Sequence, residues 1–149
     1  MPAPVWWLLC LPVIAGAFLP LQAGINGQLA KQVSSVLAAA LISFFVGTVA
    51  LLILALAQRE VPSLNVLKGL TWWHWSGGLL GAFFIATAAF AGPRIGAMLF
   101  MALVLAGQLG MAMTLDHFGW AGFRESPISL GKVAGLLLIL VGVLLIRRG

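Results

Sequence analysis

The sequence predicts an all-α protein that crosses a lipid bilayer five times. Three observations lead there. The chain of 149 residues is 62% hydrophobic and only 7% charged, against roughly 45–50% and 25% in soluble domains. It contains five apolar segments, each near the roughly 20 residues that span a hydrocarbon core. Those segments are apolar all round, whereas the helices of a soluble bundle keep a polar outer face.

The first segment covers residues 5–25, VWWLLCLPVIAGAFLPLQAGI. Trp6 and Trp7 open it, as expected of indoles at a membrane interface. Pro12 and Pro20 predict a kink or a broken last turn. No Lys or Arg precedes this run, so it reads as a retained helix rather than a secretory signal. The second segment, residues 36–57, ends at Gln58-Arg59-Glu60, and VPSLNVLKGL follows as a loop. The third, residues 73–91, starts in a collar of Trp72, Trp73, His74 and Trp75. Gly92-Pro93-Arg94 then predicts a short turn. The fourth covers residues 95–115 and the loop DHFGWAGFRESPIS follows. The fifth, residues 130–146, runs into Arg147-Arg148. No loop is long enough for a soluble domain, so residues 1–149 form one five-helix membrane domain.

Several function classes fall away. The net charge is +5, but the basic residues are scattered singly at helix ends and in loops. They suit anchoring to anionic lipid headgroups and not nucleic acid. Cys10 is the only cysteine, which excludes an internal disulfide and a thiolate metal site. The chain has three acidic residues, and His74 and His117 are far apart in sequence. No metal-hydrolase, nucleophile-elbow or phosphate-loop motif occurs. The chain therefore reads as neither an enzyme nor a metal or cofactor carrier.

Three amides stand out. Gln22 and Asn26 are spaced to share a helical face if the helix continues past Pro20. Gln108 falls in the middle of the fourth segment, in VLAGQLGMAM. Gln28 is placed beyond the first helix. Amides in hydrocarbon need partners. Either they bond between helices and fix packing, or they line a polar cavity that contacts a solute. Ser43, Thr48 and Thr87 are milder, because their hydroxyls can bond back to the preceding turn. Asp116 and His117 form a candidate proton relay at the end of the fourth segment. The competing reading is a helix-end cap beside a solvated imidazole. Small residues recur at packing spacing: Ala39, Ser43, Gly47; Ala102, Ala106, Gly110; and Gly131, Gly135, Gly142. The last set is a candidate dimer seam.

Charge does not orient the chain. Five crossings place Arg59, Lys68, Arg124 and Lys132 on one side and Lys31, Arg94, Arg147 and Arg148 on the other. The eight Lys and Arg thus divide four against four, while the positive-inside rule needs an excess. Insertion in both directions, giving an antiparallel pair, fits this balance.

The runs LQAGINGQLAKQVSSVLAAALISFFVGTVALL, WWHWSGGLLGAFFIATAAFAGPRIGAMLF, GQLGMAMTLDHFGW and GKVAGLLLILVGVLLI resemble the YdcZ family (domain of unknown function 606). That family belongs to the drug/metabolite transporter superfamily of bacterial inner membranes. The most specific marks are Gln22 with Asn26-Gly27, Phe44 to Gly47, Gly77-Gly78, Gln108, and Asp116 to Gly119. The resemblance implies five helices, half of a ten-helix transporter, paired with a copy or a paralogous subunit of opposite orientation. Small multidrug resistance relatives use a glutamate in the first helix. Here the amides Gln22 and Asn26 stand in that region, which argues against cation/proton antiport.

These readings together predict a small-solute exporter in a lipid bilayer, acting as an antiparallel homodimer by alternating access. Gln22, Asn26 and Gln108 would be its substrate contacts. The alternative is a non-transporting subunit that stabilises or regulates a membrane partner.

Overall fold

A computed structural model describes the backbone of residues 6–148, with side chains from Cys10 onward. The helices are α1 (Trp6–Gln32), α2 (Val36–Gln58), α3 (Leu64–Lys68), α4 (Trp72–Ile95), α5 (Ala97–Phe118) and α6 (Leu130–Arg148). A 3-10 turn occupies Trp120–Gly122. All but the short α3 are long and apolar enough to cross a membrane, so the five predicted crossings are present. The predicted start at Val5 and the side chains of Trp6 and Trp7 lie outside the described residues.

Two helix ends differ from expectation, and proline explains both. The predicted first helix stops at Ile25, with a kink or a broken last turn at its prolines, but α1 continues through Pro12 and Pro20 to Gln32. Gln28 therefore lies within the helix. The predicted turn at Gly92-Pro93-Arg94 is likewise helical, and α4 runs to Ile95. A proline removes one N–H from the helical ladder. In membrane helices neighbouring groups tolerate that loss. The helix ends instead at Gly96, whose φ of 85° suits a residue without Cβ. The loop VPSLNVLKGL also gains structure, with α3 starting where Leu67 N–H donates to the Ser63 carbonyl at 3.1 Å.

The helix ends close on themselves. After α1, Ser35 N–H donates to the Ala30 carbonyl at 3.1 Å and Ser34 N–H to the Lys31 carbonyl at 3.4 Å. Ser34 is left-handed, with φ 54°. This is a Schellman closure. Ser35 then caps α2, its hydroxyl accepting from Ala38 N–H at 3.1 Å. The end of α2 repeats the pattern: Glu60 N–H reaches the Ala55 carbonyl at 2.9 Å and Arg59 N–H the Leu56 carbonyl at 3.2 Å. Thr71 and His74 close the start of α4, with Thr71 Oγ1 and His74 Nδ1 2.8 Å apart. His74 thus serves the helix end.

The chain divides into two compact units, one through Arg94 and one from Ile95. The first unit holds α1 to α4. Its buried stripe on α1 is Ala23, Asn26, Gly27 and Ala30, and on α4 it is Ile85, Ala88, Ala89 and Gly92. Both follow one helical face. Ala39 and Ala40 supply the buried part of α2. Small side chains let membrane helices approach closely, where dispersion replaces the hydrophobic effect as the attraction. The closest approach is at Gly27, where an added Cβ would overlap Pro93 Cγ and lie 3.6 Å from the Ala89 carbonyl. In the second unit α5 and α6 pack together and bury Phe100 and Val143. Large apolar residues such as Leu37, Leu41 and Leu79 are more than two-thirds exposed, as lipid-facing positions should be. Of the small-residue sets, Ala39 is buried, while Gly47, Gly131 and Gly135 are exposed.

Gly27→Ala is expected to destabilise the protein by about 2 kcal/mol, because a proline ring cannot yield as a flexible side chain does. An added Cβ at Gly77 meets nothing within 4 Å, so Gly77→Ala should match the wild type or exceed it by up to about 1 kcal/mol. Equilibrium unfolding in mixed micelles compares the two. Equal stability of both variants would show that the α1–α4 contact does not limit packing.

Candidate functional site

The hairpin of α1 and α2 sets the geometry of the first candidate site. Asn26 and Ser43 stand equally far from the Ser34-Ser35 turn, so antiparallel helices bring them level. At a rise of about 1.5 Å per residue, Asn26 lies about 12 Å from the turn. That depth lies within a hydrocarbon core roughly 30 Å thick.

A cavity of about 450–510 Å³ opens at each end of this region. The one of ≈ 510 Å³ is lined by Gln22, Asn26 and Ser43 with apolar walls from Ala15, Phe18 and Leu19. A smaller neighbour of ≈ 230 Å³ shares Gln22 and Ser43 and adds Gly47, Thr48 and Ile85. The structure therefore brings Gln22 and Asn26 to one cavity, as their spacing predicts. Ser43 joins them, a residue that sequence reasoning placed among packing groups. Its expected bond back to the preceding turn is not present among the described residues, although Thr114 makes such a bond to the Gly110 carbonyl at 3.1 Å.

The two α1 amides differ sharply in burial. Gln22 is exposed. Asn26 is 3% exposed, and its amide nitrogen has no hydrogen-bond partner among the described residues. A buried amide without a partner costs about 1–3 kcal/mol. Such an orphan stands out inside a stripe of alanine and glycine.

The cavity of ≈ 450 Å³ at the turn end is lined by Lys31, Ser34, Ser35, Pro93 and Arg94. The Arg94 guanidinium donates to the Phe90 carbonyl and lies 3.9 Å from the Phe90 ring centroid. Both cations are exposed at helix ends, where they meet the headgroup region.

The other candidates lie in the second unit. Gln108 occupies an exposed face in the middle of α5. Asp116 is half-buried and lines a cavity of ≈ 300 Å³ between α5 and α6, with Lys132 and a floor of Leu109, Met113, Leu136 and Ile139. Lys132, inside the predicted fifth segment, stands in the first turn of α6. Its ammonium donates to the Ser126 carbonyl and hydroxyl, each at 2.8 Å, and to the Pro127 carbonyl at 3.2 Å. The Asp116 backbone carbonyl accepts from Ser126 N–H at 2.7 Å. His117 Nδ1 accepts from Ile128 N–H at 3.3 Å, which leaves Nε2 to hold the proton of the neutral ring. Asp116 therefore faces α6 and His117 faces the connecting loop. Among the described residues no hydrogen bond joins their side chains. Phe118 stacks on Trp120 beside them, with centroids 4.8 Å apart. The glycines Gly131, Gly135 and Gly142 leave α6 open: no other residue approaches a Cβ built at Gly135 or Gly142 within 4 Å.

Comparison with known proteins agrees with this architecture. The family described as "Putative inner membrane exporter, YdcZ" matches residues 7–145. The chain is 28% identical over 137 residues to "Inner membrane protein YdcZ" of Escherichia coli (strain K12), covering 91% of each chain. No solved structure matches it.

Lys132→Met removes the ammonium that ties the α5–α6 connection to α6. The loss of these charge-assisted bonds should cost that loop about 2 kcal/mol. Limited proteolysis after Arg124 is expected to accelerate, with the helices themselves still protected. Unchanged cleavage would show that the loop is held by other contacts.

Proposed function

The chain belongs to the YdcZ family and is a multi-pass protein of the bacterial inner membrane, and from that premise we propose that it exports small solutes as an antiparallel homodimer. The unpaired, buried amide of Asn26, level with Ser43 inside the apolar span of α1 and α2, is the observation that supports this most. Transporters commonly place the substrate site at the midplane, between repeats of opposite orientation. One chain inserted both ways would supply both repeats.

Two further features support the reading. Gln108 presents an amide on an exposed mid-helix face, where lipid offers no partner. A second copy or a water-filled cavity would offer one. The charge balance of four against four leaves neither orientation favoured. In this reading Gln22, Asn26 and Gln108 of both copies line the polar site. Rocking about small-residue seams, including Gly131, Gly135 and Gly142, exposes it to each side in turn. Binding and movement need no covalent chemistry.

The burial of Asn26 within the α1 packing stripe favours one rival, a non-transporting subunit whose amides only hold helices together. Gln108→Leu separates the two. Export predicts loss of solute efflux from proteoliposomes with the cross-linked dimer intact. The rival predicts lower stability and no efflux in the wild type either. Reporters active on opposite sides of the membrane, fused after Arg148, test the pairing. Comparable activity of both is expected, and a single orientation would overturn self-pairing.

A further inference from the structure

We infer that the cavity at the α1–α2 turn binds a phosphate group, held by the Lys31 ammonium and the Arg94 guanidinium together with the Ser34 hydroxyl and the first N–H groups of α2. This site is separate from the α1 amides and does not depend on their contacting a solute.

Two cations from different helices converge there. Lys31 comes from the last turn of α1 and Arg94 from the last turn of α4, and both line the same ≈ 450 Å³ cavity. Neither has an acidic partner. Glu60 is the only acid of the first unit, and it follows the far end of α2, a helix about 35 Å long. Like charges gathered in one place repel, and an anion between them replaces that repulsion by attraction. The Lys31 ammonium is exposed and makes no hydrogen bond among the described residues. Arg94 commits a donor to the Phe90 carbonyl, but a guanidinium carries five, so donors remain.

Neutral donors reach the same cavity. Ser34, Ser35 and Val36 all line it. The Ser35 hydroxyl is engaged as the cap of Ala38 N–H, while that of Ser34 is free to donate. Ala39 N–H is taken by the Ser35 carbonyl. The N–H groups of Val36 and Leu37 open α2 with no partner among the described residues, at the positive end of the helix dipole. The α1 carbonyls that would repel an anion are closed off, because those of Leu29, Ala30 and Lys31 accept from the turn. One free acceptor remains, the Ala89 carbonyl, which Pro93 leaves without its N–H. It lies 3.6 Å from a Cβ built at Gly27, about 6 Å deeper along α1 than Lys31, so an anion beside the cations stays clear of it.

The donor set favours phosphate. Donors come from three segments: the end of α1, the turn with the start of α2, and the end of α4. A planar carboxylate is satisfied by one guanidinium fork, whereas a tetrahedral group with several oxygens uses all three. Ala30, Ala89 and Pro93 add apolar wall for the carbons of an ester. The cavity lies at helix ends, the level of the headgroups, where basic pockets between helices hold phospholipid phosphates. A soluble phosphate ester carries the same group. Diffuse attraction to anionic lipid depends on how many cations a face carries, whereas this site depends on which ones.

Native mass spectrometry of the full chain in neutral detergent reads binding of dioleoylphosphatidylglycerol, with dioleoylglycerol as its twin without phosphate. The phosphatidylglycerol should bind tighter by about tenfold or more. Lys31→Gln and Arg94→Gln should each weaken it about tenfold, as for one charge-assisted hydrogen bond, and Ser34→Ala about threefold. Lys31→Arg keeps the charge and should bind within about threefold of the wild type. Arg147→Gln removes a charge that five crossings put on the same side but outside the cavity, and should change binding less than about twofold. Inorganic phosphate and glycerol 3-phosphate at millimolar concentration then separate the sources. Lipid that stays bound assigns the site to a lipid phosphate, and lipid displaced from the wild type assigns it to a free phosphate ester.

Equal binding of dioleoylglycerol overturns the inference, because acyl chains alone would then account for retention. Unchanged binding in Lys31→Gln and Arg94→Gln overturns it as well. So does a loss in Arg147→Gln as large as theirs, which would mark attraction by the whole face, or a Lys31→Arg variant that binds no better than Lys31→Gln.

Discussion

Hydrocarbon makes no hydrogen bonds, and most of this structure follows from that. Every backbone N–H and carbonyl inside the bilayer must find its partner within the chain, so the membrane-crossing parts are helical. The helix ends, where carbonyls and N–H groups run out of ladder partners, are closed by Ser34, Ser35 and Arg59 through short reciprocal bonds. The same constraint gives meaning to the side chains. An exposed leucine here is ordinary, because lipid is its solvent. A buried amide is not, and Asn26 stands out for that reason.

Close packing in the first unit is the second consequence. Lipid tails compete equally for apolar surface, so helices associate where backbones can meet. Gly27 against Pro93 is such a place, and the flanking residues Ala23, Ala30, Ala88 and Ala89 keep the rest of the contact flat. Asn26 neighbours the tightest point of that contact. Its side chain is thereby fixed by packing on one side while it borders a cavity on the other. A binding group held this way loses little conformational freedom when it meets its ligand.

The five crossings and their all-helical character were legible in the sequence because length and polarity decide them. The amides of α1 were legible for the same reason, being anomalies against an apolar background. Proline was the main source of error. Pro20 read as a kink or a broken last turn and Pro93 as a turn, yet each costs only one ladder bond, and both helices continue. The role of Ser43 was hidden because nothing local to it tells a packing hydroxyl from one that lines a cavity. Its place depends on the hairpin register, which the Ser34-Ser35 turn sets. Lys132 was hidden too: a basic residue near a predicted boundary looks solvated until the loop carbonyls of Ser126 and Pro127 are seen beneath it. Gly27 carried no periodic signal of its own, since its constraint comes from a proline far along the chain.

The α1–α2 turn bears on how the chain enters a membrane. Its backbone donors and acceptors are paired with each other, and its only formal charge is Lys31 at the edge. A connection of that kind carries little hydration to strip away when a translocon passes it to the far side. The short link at Gly96, with Arg94 folded onto Phe90, has the same character. Each of these two connections thus presents a single cation, Lys31 or Arg94, as its main resistance to translocation. With four Lys and Arg on each side, one charge gained or lost at either short connection would tip the balance of insertion.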